Sequence, residues 1–318
     1  MLLWLSLVGC IDPDAPVSPG DDAEFVFEVP KGSSASGLGG RLTSEGLVAS
    51  EFSWKMFLRG TDGSCLKAGK FKVRRSLSMN ELLETLCGVP LADEVPFTVV
   101  EGWRIREIDQ ALAAKGFIQR GEYEKVVTSK SVTPPFEITG DSLEGYLYPE
   151  TYQVPEKDFD VNRFVERQLQ TFKTRFLDVH GDQLGDRTLD EVVIMASMLE
   201  REEPKPVNRP LVSGILWKRI DSGWALGVDA TSRYTLENWN DRKAFLKKLR
   251  DPDDPYNTRL KKGLPPTAIG NPNLDSLKAA ISPKASEFWY YLHDSKGDIH
   301  PARDGKGHEA NRAKYNVY

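Results

Sequence analysis

A chain that repeats a pattern is committed to building one supersecondary unit twice, and two stretches here match at an offset of 70 residues. Phe27-Glu-Val-Pro-Lys-Gly32 aligns with Phe97-Thr-Val-Val-Glu-Gly102, and Leu38, Leu42, Gly46 and Val48 recur as Ile108, Leu112, Gly116 and Ile118. Each copy reads as a strand, a turn at glycine, an amphipathic helix ended by Gly46 or Gly116, then a second helix. The first copy closes with a further strand, Leu66-Lys-Ala-Gly-Lys-Phe-Lys-Val73, giving a β-α-α-β module over residues 24–90. No closing strand is evident in the second copy, so residues 91–127 are expected to pack into a larger body, 91–318. Residues 78–90 read as a linking helix capped by Ser78 and stopped by Gly88, and Pro134-Pro135 marks a polar boundary. The expected fold class is therefore α+β: a βααβ module followed by a mixed α/β domain.

At 318 residues with a net charge of −5, the chain has ample material for a core and no basic field for nucleic acid. Residues 1–10 are apolar but too short to span a bilayer. Leu7-Val-Gly-Cys10 resembles a bacterial lipobox, which implies removal of residues 1–9 and acylation of Cys10; a truncated membrane anchor that happens to hold a cysteine is the other reading. Residues 11–23 are polar and proline-rich, and are expected to be a flexible tether. If Cys10 is acylated, Cys65 and Cys87 remain, as a disulfide or as two buried thiols. There is no CxxC, and the four histidines show no metal-ligand spacing, so neither a metal nor a cofactor is expected.

Residues 188–203 carry the most chemistry. Thr188 and Glu191 form a capping box, and Leu189, Val192, Val193, Ala196 and Leu199 recur at helical spacing. Glu200 follows Leu199 near the C-terminal end, where the helix dipole disfavours a carboxylate. There it is expected to have a raised pKa, as a general acid requires. Glu202 faces another side of the helix and is not expected to duplicate it. The bland alternative is that Glu200, Glu202 and Glu203 form a solvated acidic helix end. A second helix starts at Asn208-Arg-Pro210 and ends at Asp221-Ser-Gly223; Leu226 to Tyr234 then read as a loop of small and hydrogen-bonding residues. Leu143 to Tyr152 is aromatic, acidic and bent at Gly145. Tyr256-Asn-Thr258 and Gly263-Leu-Pro-Pro266 form a stiff extended segment, Asn271 to Ser276 lead into a short helix, and Trp289 to Leu292 reads as an inner strand.

Four ordered blocks, ASMLEREE, VSGILWKRIDSGWALGVDATSRY, SLEGYLYPETY and DPYNTRLKKGLPPTAIGNPNLDSLKAA, resemble signatures of the endolytic murein transglycosylase family, the YceG-like proteins. The likeness runs from about residue 24 to 300. It implies a lytic transglycosylase that cuts the MurNAc–GlcNAc β-1,4 bond of peptidoglycan and leaves a 1,6-anhydroMurNAc end. On this resemblance Glu200 matches the catalytic glutamate. Asp229 and Thr231 fall where the family has Asp-Pro-Thr, with Ala230 in place of the proline. Glu144, Tyr148, Tyr256, Asn257 and Thr258 become substrate-binding candidates. The βααβ order resembles the LysM fold, which implies binding of N-acetylglucosamine polymers, with purely structural packing as the other possibility. The implied setting is the cell envelope, with attachment to a membrane by an N-terminal anchor, glycan strands as substrate and peptidoglycan synthases as candidate partners. In the tail, His300 and His308 depart from the family pattern and are assigned no role. Two other readings stand beside the lyase: a non-catalytic glycan-binding protein, and a muramidase-type hydrolase of the same bond, which would use a second carboxylate and water.

Overall fold

The computed structural model describes residues 12–91, 93–129, 131–140 and 142–317, so Cys10 and its acylation lie outside the described residues. Contacts divide the chain into two compact units, with the boundary after Asp93.

The first unit contains β1 (Phe25–Val29), α1 (Gly39–Ser44), α2 (Glu51–Phe57), β2 (Gly69–Val73) and α3 (Met79–Cys87). β1 and β2 pair antiparallel, with Phe27 opposite Phe71 and Val29 opposite Gly69. Strand alternation turns Phe27, Val29, Phe71 and Val73 inward onto Leu42, Trp54, Leu82 and Leu86, while Val26, Lys70 and Lys72 face solvent. Ser50 and Ser53 cap α2 reciprocally, and Ser78 and Glu81 do the same for α3. Cys65 and Cys87 are joined in a disulfide, with Cα atoms 5.1 Å apart.

The tether expectation needs correcting for its described part. The Pro13 carbonyl accepts the Met79 N–H (3.0 Å), and the Asp21 carbonyl accepts that of Ser76 (3.1 Å). Asn80 also donates to Asp14 (2.7 Å). The start of α3 has free backbone donors, and this polar segment supplies acceptors for them.

The second unit opens with β3 (Glu94–Thr98), α4 (Ile105–Ala114), α5 (Glu122–Thr128) and β4 (Thr151–Pro155). β3 and β4 pair antiparallel, with Phe97 opposite Tyr152, so the second copy of the repeat is closed after all. β1 and β3 start 69 residues apart (25 and 94), whereas β2 and β4 start 82 apart (69 and 151). That extra length hid the closing strand inside the aromatic, acidic block. The rest is helical: α6 (Val161–Phe172) runs through a π-helical turn into α7 (Asp178–His180), then come α8 (Leu189–Glu202), α9 (Arg209–Asp221), α10 (Asp229–Arg233), α11 (Arg242–Lys248), α12 (Leu274–Ile281) and α13 (Gly305–Tyr315). α10 replaces part of the expected loop, and the expected strand at Trp289–Leu292 makes only isolated bridges, including Tyr290 to Ala302.

α8 is the helix around which this unit is built. Val192, Val193, Met195, Ala196, Met198 and Leu199 are all fully buried, and α9, α10 and α12 pack against it. Gly145 shows why the approach is so close: at φ +96° a side chain there would be strained, and a Cβ would come within 2.6 Å of Val193 and Ala268. The fold is thus α+β, with two small antiparallel sheets and many helices. Among the described residues no helix is long and apolar enough to cross a membrane, and no cluster of metal-ligating side chains occurs.

Candidate active site

The C-terminal turn of α8 sends three carboxylates into three environments. Glu200 meets Arg209, which opens α9: Nη2 lies 2.9 Å from Oε1 and Nη1 3.3 Å from Oε2. Oε2 also accepts the backbone N–H of Asn273 (3.0 Å), the N-cap of α12. Arg209 donates further to the Asn273 side chain (2.9 Å) and to the Glu203 carbonyl (3.0 Å). With 7% of the Glu200 side chain and 4% of the Arg209 side chain exposed, this pair is a sealed node joining α8, α9 and α12. Glu203 is fully buried, 2.9 Å from His293 Nε2, and accepts the Lys205 N–H (2.8 Å).

Glu202 differs from both. Protein packs around it, yet it keeps part of its surface open. Its donors are long: the Ala230 N–H at 3.4 Å and the Tyr291 hydroxyl at 3.3 Å. Burial raises its pKa, and the nearby charge of Asp229 pushes it the same way. Burial and the charge of Glu202 hold the Tyr291 phenol well above its ordinary value, so it stays a donor.

Asp229 is the first residue of α10 and is half-exposed, gripped by Arg259 through Nε (2.7 Å) and Nη2 (2.6 Å). Behind it the loop is fastened from within. The Thr231 and Thr258 hydroxyls meet at 3.0 Å, Thr231 donates to the Val228 carbonyl (2.7 Å), and Val228 N–H donates to Thr258 (3.1 Å). Asn257 donates to the carbonyls of Lys248, Leu249 and Asp251 at 3.1–3.2 Å.

The YceG-like family model matches residues 27–314. The chain belongs to the YceG-like family. It is 23% identical over 316 residues to the endolytic murein transglycosylase of Bacillus subtilis, covering 94% of this chain and 87% of that protein. It is 22% identical over 335 residues to the endolytic murein transglycosylase of Streptococcus pneumoniae D39, covering 96% of this chain but 61% of the longer relative. In fold it matches a YceG-like protein from Listeria monocytogenes, with a TM-score of 0.60 at 22% identity over 91% of this chain and 99% of that one.

Among the sequence-predicted residues of this YceG-like chain, Asp229 lies beside Glu202, whereas Glu200 is turned into the arginine node. Thr231, Thr258 and Asn257 are at most 2% exposed. They hold the loop and have no free surface for a polymer, which corrects their assignment as substrate-binding. Glu144 needs the same correction. It is 2% exposed and accepts from the Ile105 N–H, the Asn271 side chain and the Tyr234 hydroxyl, all within 3.2 Å. Burial pushes its pKa up to about 8. It sits at the start of α4, where a carboxyl supplies acceptors for free backbone donors. Tyr148, 7% exposed, borders a separate recess with Glu150 and Arg175. Tyr256 is half-buried, bonded to Thr267 (2.8 Å) and packed on Tyr234. Sequence reasoning set Glu202 aside as facing another side of the helix, and gave Tyr291, Arg209 and Arg259 no role. The usable signal was Arg209 itself: an arginine opening the helix that follows a glutamate-rich helix end is a ready ion-pair partner for one of those glutamates.

Proposed function

We propose that this chain is an endolytic lytic transglycosylase of peptidoglycan, with Glu202 as the group that moves the proton. The observation that carries this reading is the contrast at the end of α8. Glu200 is paired with Arg209 and Glu203 with His293, while Glu202 joins no ion pair among the described residues, accepts only long hydrogen bonds and is raised in pKa. Proton transfer, expected from the sequence at Glu200, is therefore reassigned two residues along. A general acid must hold its proton towards the working pH, and burial and the charge of Asp229 both push Glu202 in that direction.

In this mechanism protonated Glu202 donates to the glycosidic oxygen as the bond from that oxygen to C1 of the muramic acid breaks. The 6-hydroxyl of the same sugar attacks C1, and its proton returns to the Glu202 carboxylate. The products are a GlcNAc 4-hydroxyl and a 1,6-anhydroMurNAc end, with no water consumed. Asp229, fixed by Arg259, keeps the proton affinity of Glu202 high and offers an open carboxylate to sugar hydroxyls. Tyr291 orients Glu202. The neighbouring Trp289 packs against the half-exposed Trp224 at 4.6 Å between ring centres, an aromatic surface suited to the C–H face of a pyranose.

In this reading the protein works in the cell envelope on glycan strands. The βααβ module of the first unit acts as a LysM-like grip on N-acetylglucosamine, acylated Cys10 holds the chain to a membrane, and peptidoglycan synthases are its natural partners. Mass spectrometry of glycan strands digested by the purified protein tests the chemistry. Anhydro-muramoyl ends are expected; reducing ends alone would make the protein a muramidase-type hydrolase. Fatty-acid labelling that survives Cys10→Ala would refute the lipid anchor.

A further inference from the structure

An open groove of about 710 Å³ lies away from Glu202, between α4 and the segment that follows α10. Trp239 lines it together with Arg104, and two guanidinium groups stand over its indole: Arg201, on the catalytic helix, 3.5 Å from the ring centre, and Arg104 at 5.3 Å. Arg201 reaches this position across Gly102, whose carbonyl accepts from its Nη1 (3.3 Å). A Cβ at residue 102 would come within 3.1 Å of the arginine stem, and φ +75° makes that position a glycine's. The charges along the groove pair off, Arg104 with Glu107 (2.5 Å) and Arg120 with Glu237 (3.5 Å). Three planar amides remain, on Gln110, Asn238 and Asn240, and none of them donates a side-chain hydrogen bond within the described residues.

An indole held in place by cations, unused amide donors and no surplus charge match a neutral amino sugar, with its apolar ring face and its acetamido group. They match a charged peptide poorly. We propose that this groove is an outlying saccharide subsite, binding N-acetylated sugars of the same strand that Glu202 cuts and so holding that strand at a second point. The inference rests on the glycan-cleaving reading for its choice of polymer, but its test does not depend on cleavage.

The test is calorimetric binding of peptide-free glycan oligomers to the full chain carrying Glu202→Gln, with and without Trp239→Leu. Loss of one stacking aromatic is expected to weaken binding of the longer oligomers about three- to tenfold, with disaccharide binding at the cleavage site little changed. Gln110→Ala, which leaves the indole packing intact, is expected to move binding in the same direction by a smaller factor. Equal affinities of all three proteins for long oligomers would overturn the subsite, as would binding of free stem peptide in place of the glycan. If wild-type protein cleaves nothing but binding still depends on Trp239, the lyase reading fails and the subsite stands.

Discussion

Glu200 and Glu202 stand two positions apart on α8, a rotation of about 200° around the helix axis. The first turns to Arg209 and the second to Asp229 and Tyr291. The dipole argument applied to both and could not separate them; what separates them is a long-range partner, which local spacing does not encode. Asp229→Asn removes a negative charge that helps hold the proton on Glu202. The pKa of Glu202 then falls, and because a general acid fails as pH rises through its pKa, the alkaline limb of the kcat/KM profile should move to lower pH. An unmoved limb would separate the two carboxylates. Glu144 yields a stability prediction with a defined window. Its folded pKa, about 8, lies above the ordinary carboxyl value of 4.5. The folded state therefore holds the proton more tightly, and the resulting stability is fully present below pH 4.5 and lost as pH rises towards 8. Denaturant titrations across that range should show a decline in the wild type that Glu144→Gln flattens.

At the scale of elements, the Glu200–Arg209 pair should matter more to folding than to catalysis. Glu200→Gln leaves a buried guanidinium without its counter-charge, a loss of about 3–5 kcal/mol by analogy with other broken buried pairs. Urea unfolding would measure it, and a change below 1 kcal/mol would show the node to be incidental. In the first unit the disulfide spans a sequence separation of 22, so reduction should cost about 3 kcal/mol; a thermal midpoint insensitive to reductant would contradict that. Helices with local start and stop signals were readable in advance. Ser78 and Gly88 bracket α3, and Thr188 and Glu191 open α8. β4 was not, because its strand character competes with the aromatic turn before it and its partner lies 53 to 61 residues earlier (Thr98 opposite Thr151, Glu94 opposite Pro155). α10 was missed because five residues, Asp-Ala-Thr-Ser-Arg, are too few to show a helical period; Thr258 holds its N-cap Val228 from outside.

Across the whole molecule, the repeat predicted one βααβ unit and understated the second, since both copies close antiparallel. The candidate site was legible as a neighbourhood, α8 with the residues around 229, and misread in its particulars. Buried threonines, an asparagine and a glutamate had the composition of a binding cleft, yet their hydrogen bonds run inward to backbone and to other buried side chains. Only burial and partners, which are properties of the folded chain, tell a hydrogen-bonding side chain that meets substrate from one that ties a loop. The central claim is that proton transfer belongs to Glu202, and paired variants test it most directly. Initial rates of glycan cleavage should be measured for Glu202→Gln and Glu200→Gln, each at a temperature where circular dichroism shows it folded. The expected result is a loss of about 10²–10⁴ in Glu202→Gln, the usual range for a missing general acid, with Glu200→Gln within about tenfold of wild type once its folded fraction is counted. Near-normal turnover by Glu202→Gln beside a folded, inactive Glu200→Gln would contradict it and return the proton to Glu200.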